Sequence, residues 1–442
     1  MTTRQDLAVL LHDRHVADLV DAGFGDTAVR YTPEALSDPA RSRLSLSLPV
    51  QPGIHPAAGP GGRWVRSLLP EGRALAWAVQ HFGIPEGDRY GLISVVGADV
   101  AGAVRILTTP GAASGPGRYE DLSVDELNEI VTRAPEAGLA LDQSRGVRLS
   151  LAGMQDKVLL HRIGDRYCLP LDGAPSSLVV KPEPPVGRDG FDFSGLATNE
   201  LYCLTLARRC GLRAAESMVD TFGGTPAVVI TRFDRVERDG VLERLHQEDL
   251  LGAMGLDPLL KYEQALVERR APAGGFADAA GVVSRPGPSL ADMAALLTEH
   301  LGRANLLSFV QAVTFNVAIG NADAHARNYS VLLEPEGTVT LAPLYDLIAT
   351  RCYGQLDAEA PQRINGKTLI DDVRIEDLVA EATAWGLPRP VVTKRVVDTI
   401  RAVGDHTRCA REECVTRGGD RAVAGAVADS VAGRARLLLA DV

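Results

Sequence analysis

The sequence predicts an α+β protein of two lobes, a β-rich one followed by an all-helical one, with an extra α/β subdomain in front. Three observations carry this. Short apolar segments separated by turn residues fill the chain up to residue 247. From residue 248 onward the apolar positions recur mainly at helical spacing. The stretch GNADAHARNYSVLL, with LAPLYDLIAT after it, sets Asp323, His325, Asn328 and Asp346 between apolar segments in that second part. Polar groups at the ends of buried elements are costly unless they are paired or used.

Residues 1–107 read as the α/β subdomain. LAVLL and TAVRY are strands, RLSLSLPV alternates like a third, and LPEGRALAWAVQHFGI is an amphipathic helix. GDRYGLISVVGADVAGAVRIL closes the unit with Gly-rich turns and a last strand. Residues 108–117, TTPGAASGPG, are small, uncharged and Pro/Gly-rich, which reads as a linker. The next unit, 118–247, starts with a helix opened by Ser123, with Glu126 three residues on as in a capping box. GVRLSLAGMQDKVLLHRI gives two strands around a tight loop at 152–156, and RYCLPL and SSLVVKP follow, the latter reaching Lys181. The Pro/Gly-rich, polar 182–193 segment reads as a loop outside the core. Thr198 is placed to cap the helix NELYCLTLARRCGL, which Gly211 ends. ESMVDTFGGTPAVVITRFDRV is a hairpin whose second strand covers 227–231. In the last unit, 248–442, the apolar segments EDLLGAMGL, SLADMAALLTEHL, ANLLSFVQAVTFNVAIG, IEDLVAEATAWGL, VVTKRVVDTIRAVGD and DRAVAGAVADSVAGRARLLLA each carry a helical stripe.

Composition narrows the function. A hydrophobic share of 45% beside 23% charged residues is that of an ordinary globular chain. The net charge of −11 argues against autonomous binding to nucleic acid or anionic membranes through bulk charge. Charges interrupt the apolar N-terminal stretch, and no apolar run approaches the roughly 20 residues that span a bilayer, so a cytoplasmic protein with no membrane partner is expected. The six cysteines contain no Cys-x-x-Cys pair and read as reduced thiols; a zinc site is not expected.

The polar residues of the 321–346 region are the parts a phosphotransferase needs. One acid, Asp323, can receive a hydroxyl proton, while Asn328 and Asp346 can hold Mg²⁺ against nucleotide phosphates. Asp and Asn are also the commonest loop residues, so the spacing alone does not decide. Lys181, at the end of a Val-Val strand, reads either as a phosphate-binding lysine or as a solvated one. Gly153 reads as a backbone approach to phosphate or as a plain hairpin turn. Thr231, Arg232 and Phe233 follow a buried strand where an adenine could lie; an Arg232–Asp234 pair closing that strand is the other reading. His325 reads as a core histidine or a loop organiser.

Taken jointly and in order, these segments resemble the HipA family of serine/threonine protein kinases, the toxin halves of HipBA toxin–antitoxin modules. SLAGMQDKVLL is similar to the family's phosphate loop, SSLVVKP to its nucleotide-lysine strand and ATNELYCLTLARRCGL to the helix after it. VVITRFDR is similar to its hinge, RLHQEDLLGAMGLDPLLKYE to the lobe-crossing segment, and GNADAHARNYS with LYDL to its catalytic and metal sequences. RLSLSLP, SLLPEG and GAVRIL match the N-terminal part. The resemblance implies a two-lobed protein-kinase-like fold using ATP and Mg²⁺. Asp323 would be the catalytic base, and Asn328 and Asp346 the metal ligands. Ala152, Gly153, Met154, Gln155, Asp156 and Lys157 would cover the phosphates that Lys181 touches. Thr231, Arg232 and Phe233 would line the adenine, with Gln247, His325 and Tyr345 also at the nucleotide. Ser150 would be the serine autophosphorylated to switch the enzyme off. A dimeric helix-turn-helix HipB-like antitoxin is the implied partner, with operator DNA contacted through it, and an aminoacyl-tRNA synthetase, first glutamyl-tRNA synthetase, is the implied target. Two positions depart from the family pattern: His246 stands where Pro is more usual, and Thr231 where an acid is common. A small-molecule phosphotransferase and an inactive, kinase-like corepressor are the competing readings.

Overall fold

The computed structural model describes residues 4–85, 87–108, 117–137, 156–187, 192–263 and 286–440. The first unit holds a five-stranded antiparallel sheet in the order Ile54–His55, Asp26–Tyr31, Arg14–Gly23, Leu7–Leu11, Val104–Leu107. Helices Pro60–Leu68, Gly72–Phe82 and Arg89–Val96 complete it. The alternating RLSLSLPV forms no strand beyond an isolated Ser45–Leu48 bridge. The segment is instead held by the second lobe: Leu46 N donates to Glu248 Oε1 (2.6 Å), and Ser47 Oγ to the Gly252 carbonyl (2.9 Å). The helix at Arg89–Val96 replaces the turns expected there; Asp88 caps it by accepting from Gly91 N (2.8 Å).

A six-stranded sheet forms the β-rich lobe in the order Ser217–Phe222, Thr225–Thr231, Leu178–Pro182, Val158–Ile163, Arg166–Leu171, Arg118–Asp121. Leu178–Pro182 is central, so its near-continuous apolar run is buried and Lys181 sits 8% exposed inside the lobe. The capping box is present: Ser123 N donates to Glu126 Oε2 (3.0 Å), and Glu126 N to Ser123 Oγ (3.3 Å). Thr198 does not cap its helix. That helix spans Leu196–Arg209 with Gly195 (φ 80°) at its start, and Thr198 Oγ1 accepts from Asp420 N (3.0 Å).

The second lobe is helical around two small sheets that helical patterning did not show. Helices Leu290–Leu301, Leu306–Ile319, Ile375–Ala384, Arg389–Thr416 and Arg421–Leu439 form its body. The strands Gln247–Asp249, Ser330–Leu333 and Val339–Leu341 pair antiparallel beside the Asp323 loop, and Glu359–Ile364 pairs with Lys367–Leu369. One apolar core runs through all three units, from Leu7 to Leu438.

A buried ion network joins the first unit to the β-rich lobe. Asp99, 0% exposed, receives Arg235 Nη2 (2.7 Å), Arg244 Nη2 (3.2 Å) and Ser176 Oγ (2.7 Å), with Arg232 Nη1 at 3.5 Å. Arg232 also grips Asp234 through Nε (2.9 Å) and Nη2 (2.7 Å), while Gly102 N donates to the same carboxylate (2.7 Å). Burial opposes the charge on Asp99, but the three guanidiniums outweigh it and hold the carboxyl well below its usual range.

Glu248 carries a testable pH dependence at the contact between the first unit and the second lobe. Burial pushes its carboxyl from an ordinary 4.5 up to about 8, and its Oε2 has no hydrogen-bond partner among the described residues. Between those two values the folded protein holds a proton that the unfolded chain has released, so stability falls as pH rises through that window. Glu248→Gln should flatten the plot of denaturation midpoint against pH; an unchanged slope would exclude Glu248 as its source.

Candidate active site

Helix Leu306–Ile319 ends at Gly320 (φ 71°), a left-handed cap that turns the chain into the 321–328 loop. Asn316 and Asn321 form a ladder beneath it: Asn321 Nδ2 donates to Asn316 Oδ1 (2.9 Å), and Asp323 N to Asn321 Oδ1 (3.0 Å). Asp323 is exposed at the tip. Its carbonyl accepts from His325 N (2.8 Å) and from Asn328 Nδ2 (2.8 Å), and its Oδ1 accepts from the Tyr262 hydroxyl (2.7 Å). Asn328 thus commits its amide nitrogen to the loop, so its side-chain oxygen is the atom that could meet a cation.

Asp346 arrives from the other side. The backbone before it is tied to the β-rich lobe, Leu344 N donating to the Arg213 carbonyl (2.8 Å) and Ala215 N to the Leu344 carbonyl (2.9 Å). Asp346 itself adopts φ 55°, a left-handed conformation that Asp tolerates better than most residues and that recurs at functional sites. Lys181 Nζ lies 2.8 Å from Asp346 Oδ1 and 2.8 Å from Glu200 Oε1. Burial opposes the ammonium charge, yet the two carboxylates outweigh it and raise the group above its usual value. Burial likewise opposes ionisation of Asp346, but Lys181 outweighs it and holds the carboxyl at about 2. Glu200, 0% exposed, was not singled out from the sequence. The signal was an acid on the helix following the lysine strand, the place of the kinase lysine–glutamate pair. The neighbouring Asn199 ties the same helix to Ala349, donating to its carbonyl (3.2 Å) and accepting from its N–H (2.8 Å).

The other expected site residues divide. Lys157 is buried, and desolvation, with Lys181 nearby, lowers it to about 7. Asp156 is buried beside it. Ser150, Ala152, Gly153, Met154 and Gln155 lie outside the described residues. Phe233 and Tyr345 stack on each other, with centroids 5.4 Å apart at 26°. The Tyr345 hydroxyl turns inward, donating to the Arg327 carbonyl (2.7 Å) and bonding Ser330 Oγ (2.6 Å). Thr231 is exposed, while its N–H is spent on the Glu216 carbonyl (2.8 Å). The Arg232 side chain is corrected: the Asp99–Asp234 network holds it, so only its backbone is left to line a nucleotide. Gln247 Oε1 and His325 Nδ1 are buried polar atoms with no hydrogen-bond partner among the described residues, as expected of groups that meet a ligand. Burial lowers His325 to about 4, so its ring is neutral at pH 7. His246 is buried with Nε2 against the Leu44 carbonyl (3.0 Å), and burial lowers it to about 4; it links the first unit to the β-rich lobe.

The donor set fits Mg²⁺. Among the described residues no cluster of three or more His, Cys, Asp or Glu could hold a metal alone. Asn328 and Asp346 offer hard oxygen atoms, and Mg²⁺ is ordinarily held by one or two such side chains together with substrate phosphates.

A lysine on a central strand, bridged to a helical glutamate and to an aspartate, with an Asp–Asn loop in the other lobe, is the arrangement of a kinase. Comparison with known proteins names the kind. The HipA N-terminal domain matches residues 7–107 and the HipA-like C-terminal domain matches 149–407. The protein Y4mE of Sinorhizobium fredii is 31% identical over 448 residues, covering 99% of each chain. The serine/threonine-protein kinase toxin HipA of Shewanella oneidensis is 26% identical, covering 91% of this chain and 89% of its own. The structure of HipA from Shewanella oneidensis MR-1 with HipB and operator DNA shares the fold, with a TM-score of 0.78 at 23% identity over 98% of this chain and 97% of that one. The chain belongs to the HipA family and is a kinase of the HipA type.

Proposed function

We propose that this protein is an ATP- and Mg²⁺-dependent serine/threonine kinase that acts as the toxin of a HipBA-like module, phosphorylating a protein target to arrest translation and growth. The observation that carries the reading is the buried Lys181 bridging Glu200 and Asp346 at 2.8 Å each, opposite the Asp323 loop. Bound Mg²⁺ supplies charge neutralisation across the nucleotide phosphates. The chain's residues do the rest. Asn328 and Asp346 hold the cation by their oxygens, and Asp156, Lys157 and the 152–155 backbone cover the phosphates. Lys181, fixed by Glu200, neutralises them, while Thr231, the Arg232 backbone and Phe233 line the adenine. Gln247, His325 and Tyr345 line the same cleft. Asp323 orients the acceptor hydroxyl and takes its proton late in the transfer; alignment and electrostatics then supply most of the rate.

The family supports an aminoacyl-tRNA synthetase as the target, with glutamyl-tRNA synthetase first. The structure of Shewanella HipA with HipB and operator DNA supports an antitoxin partner; the family resemblance suggests a dimeric helix-turn-helix protein that contacts operator DNA on this chain's behalf. A net charge of −11 fits that division, since phosphate affinity grows with neutralising Lys and Arg. No described helix is long and apolar enough to cross a membrane, which accords with action in the cytoplasm. Incubation with γ-labelled ATP and host lysate tests the function: a labelled protein band supports it, a labelled small molecule makes the protein an antibiotic-type phosphotransferase, and no label makes it an inactive corepressor.

Autophosphorylation of Ser150 is the proposed off-switch. A phosphate adds a charge of about −1.5 to −2 next to the phosphate loop, where an anionic nucleotide repels it. Mass spectrometry after incubation with Mg²⁺ and ATP should find phosphate on Ser150 in the wild type and none in Asp323→Ala. A labelled target beside unmodified Ser150 would remove the switch and leave the kinase.

A further inference from the structure

Arg327 lies inside the 323–328 loop, next to Asn328, but its guanidinium is directed at the first unit. Nη1 forms an ion pair with Glu71 Oε1, and Nη2 donates to the Ser67 carbonyl (2.9 Å). Nε meets Asp249 Oδ2 (3.0 Å), the carboxylate that also caps Leu250–Ala253. Arg327 is 8% exposed, so these contacts replace water rather than supplement it.

Glu71 has a second cation. Its Oε2 lies 3.8 Å from Lys261 Nζ. The Lys261 carbonyl accepts from Ala326 N (3.2 Å), and the next residue, Tyr262, donates its hydroxyl to Asp323 Oδ1 (2.7 Å). One carboxylate from the first unit therefore reaches both residues that flank the expected base, one within its loop and one packed against it. Glu71 occupies the N-cap position of Gly72–Phe82 and makes no side-chain capping bond there, as Glu is not among the side chains that cap well. Its side chain serves the loop instead.

We propose that Glu71 is a positioning residue for phosphotransfer, which makes the N-terminal unit part of the active site. The inference rests on the kinase reading above, with Asp323 and Asn328 in the roles given there. Without the carboxylate, the buried Arg327 would keep Asp249 as its one ion-pair partner among the described residues. Breaking a buried pair leaves an uncompensated charge, and the short turns at 323–328 yield more readily than the helices beside them. A loop displaced by about 1 Å costs on the order of 10²-fold in rate. Among the described residues Lys181 and Glu200 make no bond to Glu71, so nucleotide affinity is spared.

The test uses the full chain. Single-turnover autophosphorylation with γ-labelled ATP, followed across ATP concentration, separates the rate constant from half-saturation. Glu71→Gln should lower the rate constant by about 10- to 100-fold and move half-saturation by less than about 3-fold. Amide hydrogen exchange without nucleotide should speed up at 324–328 and stay unchanged in Gly72–Phe82. Glu71→Asp should restore part of the rate. Arg327→Lys, which keeps the charge but loses the fork, should reproduce the signature if Glu71→Gln does not fold. The Glu71→Gln, Arg327→Met double variant should be no slower than Arg327→Met alone. A folded Glu71→Gln protein with wild-type rate and wild-type exchange overturns the proposal. A wild type that labels neither itself nor a protein in host lysate would defeat the kinase reading instead, and the exchange experiment would still decide the role of Glu71.

Discussion

Replacing Asp323 with alanine should lower phosphotransfer by on the order of 10²–10⁴-fold, the usual contribution of a positioned general base. The protein should stay folded. Asp323 is exposed and is bonded to the loop through its backbone, which alanine keeps. Surface substitutions of this kind change stability by about 0.5 kcal/mol or less. Nucleotide affinity should hold too, because Lys181, Glu200 and Asp346 are untouched. The side chain that loses a partner is Tyr262, which is only half-buried and can turn its hydroxyl to water. The checks are the initial rate with γ-labelled ATP, the ATP dependence of that rate and the unfolding midpoint. A well-folded Asp323→Ala protein that still phosphorylates itself would remove Asp323 from the reaction.

Lys181→Met should be damaging in a different way, abolishing detectable activity and also destabilising the fold. The change leaves Glu200, fully buried, facing Asp346 without the bridging ammonium, and only the desolvated Lys157 remains nearby as a cation. Breaking a buried ion pair from one side costs about 3–5 kcal/mol; the lower end applies here, because Asp346 is 34% exposed and water reaches it. Adding Glu200→Gln to Lys181→Met should return much of the stability and none of the activity, since it removes the stranded charge without replacing the phosphate contact. Urea unfolding of the two variants beside their kinase assays separates the roles. A Lys181→Met protein as stable as the wild type would show that the bridge is not a structural tie, and one that transfers phosphate normally would remove Lys181 from the nucleotide.

The site was legible where its chemistry is local in the chain. Asp323, Asn328 and Asp346 fall within one stretch framed by apolar segments, and Lys181 ends a run that reads as a buried strand. Glu200 was not legible in that way. A lone acid among Leu, Tyr and Cys looks like a surface position until Lys181 is known to lie across from it. Glu71 and Arg327 are still harder, because their pairing depends on two segments far apart in sequence meeting at a lobe contact. Arg232 shows the opposite error. The neighbouring Asp234 allowed a plain ion pair as one reading, and the structure adopts it, with Asp99 from the first unit as the third member. RLSLSLPV has the alternation of a strand and no strand to pair with, so hydrogen bonds to Glu248 and Gly252 replace a ladder. The small sheet beside the Asp323 loop escaped notice because three- and four-residue strands are too short to establish a period.

Asp99 also constrains the order in which the chain matures. Translation delivers the first unit to the ribosome exit before any partner of this buried carboxylate has been made, since Ser176, Arg232, Arg235 and Arg244 all come later in the chain. Nascent domains commonly close one after another from the N-terminus. Here the early unit has an uncompensated acid at the surface it must later bury, and beside it Gly102 N awaits Asp234. Water solvates Asp99 and Gly102 N until those residues are made, so the seam between the first unit and the β-rich lobe can close only after residue 244 has emerged.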